Sequence, residues 1–287
     1  MSRLPLIPFA PFVAALPAAA LLAAAPLRAQ GVLVAPHAVF IDHRIRASSL
    51  TLYNPGDEPA EIGVSTFFGY PVTDSTGEFT LLTVDTPDST QPSAAGWIEA
   101  FPKRMVLGAK QRQTVRLLAR PPAGLADGEY WARVVISAKG GTIPVTGVGD
   151  STGIRVGLKL EVRTVIPLQY RKGPMSTTVR VSDIQAERSG DSLAVRMHLV
   201  RAGNAAFLGM ARGALADSTG KTVASFNRPI AVYYDIAPRM TAPLPPGGLH
   251  PGRYRLKVEV AAERQDLPPE VLLGSAPVRD SVEVRIP

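Results

Sequence analysis

No cysteine occurs among the 287 residues, which excludes disulfides, thiolate metal centres and cysteine nucleophiles together. Aromatic residues are 6% of the chain and charged residues 19%. Its lysines and arginines are spread along the chain and form no aromatic-studded basic run, so nucleic acid is not an expected partner. The four histidines, His37, His43, His198 and His250, stand in no catalytic motif. A hydroxyl nucleophile needs a base within reach, and a metal needs more donors than His37 and His43 could offer together. A glycine-rich phosphate loop is also missing, and the neighbouring Asp57 and Glu58 fall in a turn where both are solvated. The chain is therefore read as no enzyme, with no metal and no cofactor.

The first thirty residues hold Arg3, an uncharged run from Leu4 to Leu27, then Arg28 and Ala29. That order suits a secretory signal cut near residue 29. A membrane anchor is the rival reading, and Pro5, Pro8, Pro11, Pro17 and Pro26 argue against a continuous helix there. No other stretch is apolar enough to span, so no membrane insertion is expected once the signal is removed. Taking 29 from 287 leaves 258 residues, enough for two domains of ordinary size. Losing Arg3 and Arg28 lowers the formal charge from +7 to +5.

Strand signals fill the rest. Short apolar runs alternate with turn clusters at about ten-residue spacing, which suits antiparallel sandwiches. The turns include NPGDEP (54–59), AKGG (138–141), RSGD (188–191), PPGG (245–248) and DSTG three times, at 74–77, 150–153 and 217–220. Asp followed by Gly is ordinary turn chemistry, and DSTG lacks the ligand spacing of a calcium loop. Expected strands in the first half are 32–41, 48–54, 60–70, 79–84, a stretch around 97–107, 113–119, 130–137 and 154–170. In the second half they are 177–186, 192–200, 221–226, 230–236, 252–262 and 281–287, with a proline-rich loop over 265–277.

The segment 154–170, IRVGLKLEVRTVIPLQY, keeps a period of two throughout. Ile154, Val156, Leu158, Leu160, Val162, Thr164, Ile166, Leu168 and Tyr170 form one row, and Arg155, Lys159, Glu161 and Arg163 stand between them. Seventeen extended residues would reach roughly 55 Å, about three times an ordinary strand. Part of it should lie beyond its own sheet. The residues alone leave open whether the row lines the protein's own core or fills a partner's groove.

Several stretches resemble, in order, the amino-terminal half of PapD-like periplasmic pilus chaperones: AVF (38–40), SLTLYNPGDEPAEIGVS (49–65), FPKRMVLGAKQRQTVRL (101–117), LADGEYWARVVIS (125–137) and IRVGLKLEVRTVIPLQYR (154–171). The resemblance covers roughly half the chain. It implies an all-β protein of two immunoglobulin-like β-sandwich domains in tandem, 31–172 and 174–287, located in the periplasm. It also implies that Ile154, Val156, Leu158, Leu160 and Val162 form a subunit-binding strand that completes a pilin-like exported subunit. An outer-membrane usher would be a further partner, and self-association through an edge strand is expected. The family anchors the subunit's terminal carboxylate with two cations, at positions that correspond here to His37 and Pro167. An imidazole and a proline depart from that pattern. An acidic residue and an arginine near the domain junction correspond to Glu129 and Arg171, which the resemblance makes an interdomain ion pair. The other function class in view is an exported structural or adhesive immunoglobulin-like protein.

Overall fold

The computed structural model describes residues 31–144 and 157–286, without the side chains of 141–144 and 157–159. The expected signal segment, Ile154, Val156 and the DSTG at 150–153 lie outside the described residues. No helix among the described residues is long and apolar enough to cross a membrane.

The chain is all-β, two β-sandwiches in tandem, each with its own core. The first is built from β1 (Leu33–Ala35), β2 (Val39–Asp42), β3 (Ala47–Tyr53), β4 (Ala60–Thr73), β5 (Phe79–Val84), β6 (Ile98–Phe101), β7 (Arg104–Leu107), β8 (Arg112–Ala119), β9 (Gly128–Pro144) and β10 (Gly157–Lys172). One of its sheets runs β1-β3-β8-β6, and the facing sheet runs β2-β10-β9-β4-β5 with β7 also on β4. The second contains β11 (Thr177–Ser189), β12 (Ser192–Gly203), β13 (Phe207–Ala216), β14 (Thr222–Val232), β15 (Asp235–Ile236), β16 (Arg239–Pro243), β17 (Gly252–Ala261) and β18 (Val278–Ile286). Its sheets run β11-β12-β15, with β16 on β12, and β14-β13-β17-β18.

Alternation creates both cores. β8 buries Val115, Leu117 and Ala119 and exposes the residues between them, the two faces of a half-solvated strand. With Leu50, Leu52, Ile136 and Leu168 these fill the first sandwich; Leu193, Val195, Leu215 and Leu256 belong to the second. Each such side chain contributes about 1.5–3 kcal/mol on burial.

The structure corrects several strand expectations. Residues 32–41 are two strands, since the chain changes sheets at the cis Ala35–Pro36 bond, β1 joining β3 and β2 joining β10. AKGG is not a turn: Gly140 and Gly141 together face Leu160 in a β-bulge inside β9. Residues 221–226 and 230–236 are mostly one strand, β14, and Pro229 is tolerated because β14 is the edge of its sheet. β13 was not expected at all. Its inward row is Phe207, Gly209, Ala211, Gly213 and Leu215, in which alanine and glycine hide the period of two. At Gly213 a Cβ would stand 2.1 Å from the Phe226 ring, so the neighbouring strand's phenylalanine already occupies that space.

Both described DSTG sequences form the same turn. One Asp74 carboxyl oxygen accepts from Thr76 N (2.8 Å), Thr76 Oγ1 (2.6 Å) and Glu78 N (3.0 Å). Asp217 treats Thr219 and Lys221 likewise, at 2.9, 2.6 and 3.1 Å. Each loop closes on a glycine with positive φ, +87° at Gly77 and +88° at Gly220.

Candidate functional site

β10 is covered unequally along its two edges. β9 pairs with it from Gly157 to Lys172, whereas β2 covers the other edge only from Leu168 to Arg171. Among the described residues the edge from Gly157 to Pro167 therefore has no neighbouring strand. Backbone groups there are available for another strand to pair with. Pro167, which has no N–H to offer, sits at the end of this open stretch.

The two faces of β10 differ as well. Along the core-side row Tyr170, Leu168 and Ile166 are buried, Thr164 is half-buried, and Val162 and Leu160 are 36% and 39% exposed. The row thus runs out of the sandwich while its period continues. Leu158, further along β10, lies in register with Ile143 of β9. On the opposite face Arg163 bonds Glu161 at 2.9 Å and Lys139 lies 3.6 Å away. The Arg163 guanidinium holds the Glu161 carboxyl below its ordinary value of 4.5. Closer to the domain junction this face turns apolar and then closes: Val165 is still 40% exposed, whereas Gln169 is only 2% exposed.

His37 and Pro167 do come together, in a cleft of about 280 Å³ between the two sandwiches. Cleft residues that the sequence reading did not identify include Arg133, Gln169, Tyr233 and Arg264. Arg133 is 6% exposed; its Nε donates to Gly69 O at 2.9 Å and its guanidinium lies 5.1 Å from the Tyr233 ring centre. No carboxylate among the described residues pairs with it. Gln169 Nε2 donates to the Tyr233 hydroxyl at 2.9 Å, and its buried Oε1 has no partner among the described residues. Burial pushes the Tyr233 hydroxyl above its ordinary pKa, against the opposing charge of Arg133. Arg264, in contrast, grips Asp266 through two bonds of 2.7 and 2.5 Å. These hold the Asp266 carboxyl low, with a smaller contribution from the charge of His37. The cleft therefore contains a buried cation without an acid and an amide oxygen without a donor, which is an unusual pairing for a filled interior.

A sequence signal for these residues existed. β9 reads Tyr130-Trp131-Ala132-Arg133-Val134-Val135-Ile136. Large apolar residues at both parities of a sheet-edge domain mean that its second face is covered too.

Glu129 and Arg171 meet beside the cleft. Arg171 Nε donates to Glu129 Oε2 at 2.8 Å, with the two side chains 10% and 0% exposed. Glu129 Oε1 also accepts from Trp131 Nε1 at 2.9 Å and Ala206 N at 3.1 Å, while Arg171 Nη1 donates to Val271 O at 2.6 Å. Ala206 and Val271 belong to the second sandwich, so the pair touches both. Around it Phe68, Tyr70, Trp131, Tyr233 and Tyr234 form an aromatic cluster across the junction. His43 does not join His37: its ring engages the Tyr170 hydroxyl and Arg46.

No protein-family model matches this chain, and no curated protein matches it either. Solved structures do. The YadV chaperone is 16% identical, with 88% of this chain and 99% of that one covered and a TM-score of 0.44. The chain is similar to pilus chaperones. A chain of the CsuC–CsuE chaperone–tip adhesion subunit pre-assembly complex of Acinetobacter baumannii is 13% identical, covering 88% and 97%, at a TM-score of 0.44. The Salmonella enterica SafA pilin in complex with the SafB chaperone gives 14%, 88% and 96%, at 0.41. At these values the likeness is one of chain course, and the site is defined by its own geometry.

Proposed function

We propose that this protein is a periplasmic assembly chaperone that lends β10 to a strand-deficient, pilin-like exported subunit, with an outer-membrane usher as the receiving partner. The observation that carries the reading is the open edge of β10 from Gly157 to Pro167, along which Val162 and Leu160 extend the core row into solvent. An added strand gains affinity from main-chain hydrogen bonds and selectivity from alternate side chains, and chaperone–pilin pairing is a known instance of this mode. The domains on this reading run 31–172 and 174–287, and the exported form begins after a signal of 29 residues. Arg133 in the cleft supplies a buried positive charge near His37 and Pro167, the positions where the family's anchoring cations would stand. An aliphatic side chain moved from water into a partner's groove contributes about 1.5–3 kcal/mol before ordering costs are subtracted.

The test is the double variant Leu160→Asp, Val162→Asp, expressed with a tagged pilin-like subunit that lacks its last strand. Expected is an unchanged melting temperature with loss of subunit recovery, because only the complex would bury the new carboxylates. A structural or adhesive protein would keep its activity and never recover the subunit. A drop of more than about 10 °C in Tm, equivalent to several kcal/mol for a chain of this size, would place the row in the protein's own core and overturn the reading.

A further inference from the structure

A second open edge lies at the far side of the same sheet. β5 reads FTLLTV, without a charge or a proline, and five of its six residues are exposed. Phe79, Leu81 and Leu82 are among the most exposed large apolar side chains of the molecule. Among the described residues its only strand neighbour is β4, and no backbone hydrogen bond reaches its outer edge. Charge is confined to its ends, Glu78 and Asp85. An apolar strand edge lacking internal protection is a template for another strand.

Backbone polarity decides how another strand could fit. Asp74 N donates to Glu78 O, so Glu78 points into the hairpin, and alternation turns Phe79, Leu81 and Thr83 outward. On β10, Arg171 O accepts from His43 N, so Arg171 points to the β2 side. Counting back in twos, Val165, Arg163, Glu161 and Lys159 point to the open edge. An antiparallel pairing must match outward residues with outward residues. One such register sets Phe79 against Val165, Leu82 against Val162, Val84 against Leu160 and Asp85 against Lys159. All three exposed apolar residues of the β10 edge then meet apolar partners, and the acid ending β5 meets a base.

We propose that β5 is a docking edge for β10 of a second copy of this chain. Strand directions alternate from β10 through β9 and β4 to β5, so the incoming β10 has the direction its own sheet requires. Each copy keeps one edge of each kind free, and the contact is heterologous: assembly proceeds head to tail and does not close at two. Six residues of strand pairing bury less than a stable interface needs, which makes the association transient and concentration-dependent. The proposal uses the open β10 edge and does not depend on a pilin-like client, although any client on β10 would compete with it.

Sedimentation velocity of the exported chain over a wide concentration range tests this. The weight-average coefficient should rise without a plateau at the dimer. Leu82→Lys should abolish the rise and leave Tm unaltered. Asp85→Lys should weaken the association about two- to fivefold, the range of one cross-strand charge pair, and Lys159→Asp added to it should restore the lost affinity. Because Leu82 is outside β10, this variant should still capture any subunit, which separates failure here from failure of the chaperone reading. A monomer at every concentration overturns the proposal, as does a discrete dimer that Leu82→Lys leaves intact.

Discussion

Arg171→Ala removes three contacts at once: the 2.8 Å bond to Glu129, the 2.6 Å bond to Val271 O, and the guanidinium lying 4.6 Å from the Phe40 ring centre. It leaves the Glu129 side chain, 0% exposed, without its bonded counter-charge, and only the charge of Arg201, which is not bonded to it, still acts on it. Breaking a buried ion pair from one side costs about 3–5 kcal/mol. Two donors remain on Glu129, from Trp131 and Ala206, so the lower end applies, about 3 kcal/mol. For a chain of this length each kcal/mol moves Tm by about 2–4 °C, which gives an expected drop of about 6–12 °C. Because one bond reaches Val271 in the second sandwich, small-angle scattering should also show a wider spread of interdomain angles. Calorimetry and scattering on the exported chain measure both. An exposed pair would yield less than about 1 kcal/mol, so a Tm change under about 2 °C with an unaltered scattering profile refutes the reasoning.

Two further outcomes are expected. Gly213→Ala puts a methyl 2.1 Å from the Phe226 ring and should destabilise the second sandwich by about 1–3 kcal/mol, read as a lower denaturant midpoint. Asp74 is held below its ordinary pKa of 3.8, first by the Thr76 side chain and then by Glu78 N. Its depressed folded pKa means that the turn's contribution is complete above about pH 4 and is lost as pH falls through the lowered value. Amide shifts of Thr76 and Glu78 should follow that titration by NMR and lose it in Asp74→Asn; a midpoint at or above 3.8 would contradict the geometry.

Much of the fold was legible. β5 matches its expected bounds as a short apolar run between turn signals, and β3, β4 and β8 match within a few residues, because in those three the alternation of wet and dry positions survives along much of the strand. Legibility failed where one residue type served two ends. Gly140 and Gly141 read as a turn because glycine marks turns and bulges alike, and β13 vanished because alanine and glycine carry little hydrophobic contrast. The site was half visible. Periodicity put Leu160 and Val162 in one row and the family resemblance gave that row a role, whereas Arg133 and Gln169 acquire their meaning from Tyr233, 100 and 64 residues away in sequence. Such a distance leaves no local pattern to read.

The strict alternation of β10 also limits how the molecule can vary. Ile166, Leu168 and Tyr170 fix the strand in the core, and Gln169 fixes its other face in the cleft. Inserting a single residue between Val165 and Ile166 would turn every position on the tip side to the opposite face. Glu161 and Arg163 would then join the apolar row, and Leu160 and Val162 would face the cleft side. Two inserted residues restore the faces and shift only the reach. Homologous chains are thus free to exchange side chains along the row, or to lengthen the strand in pairs, and are barred from odd steps in length.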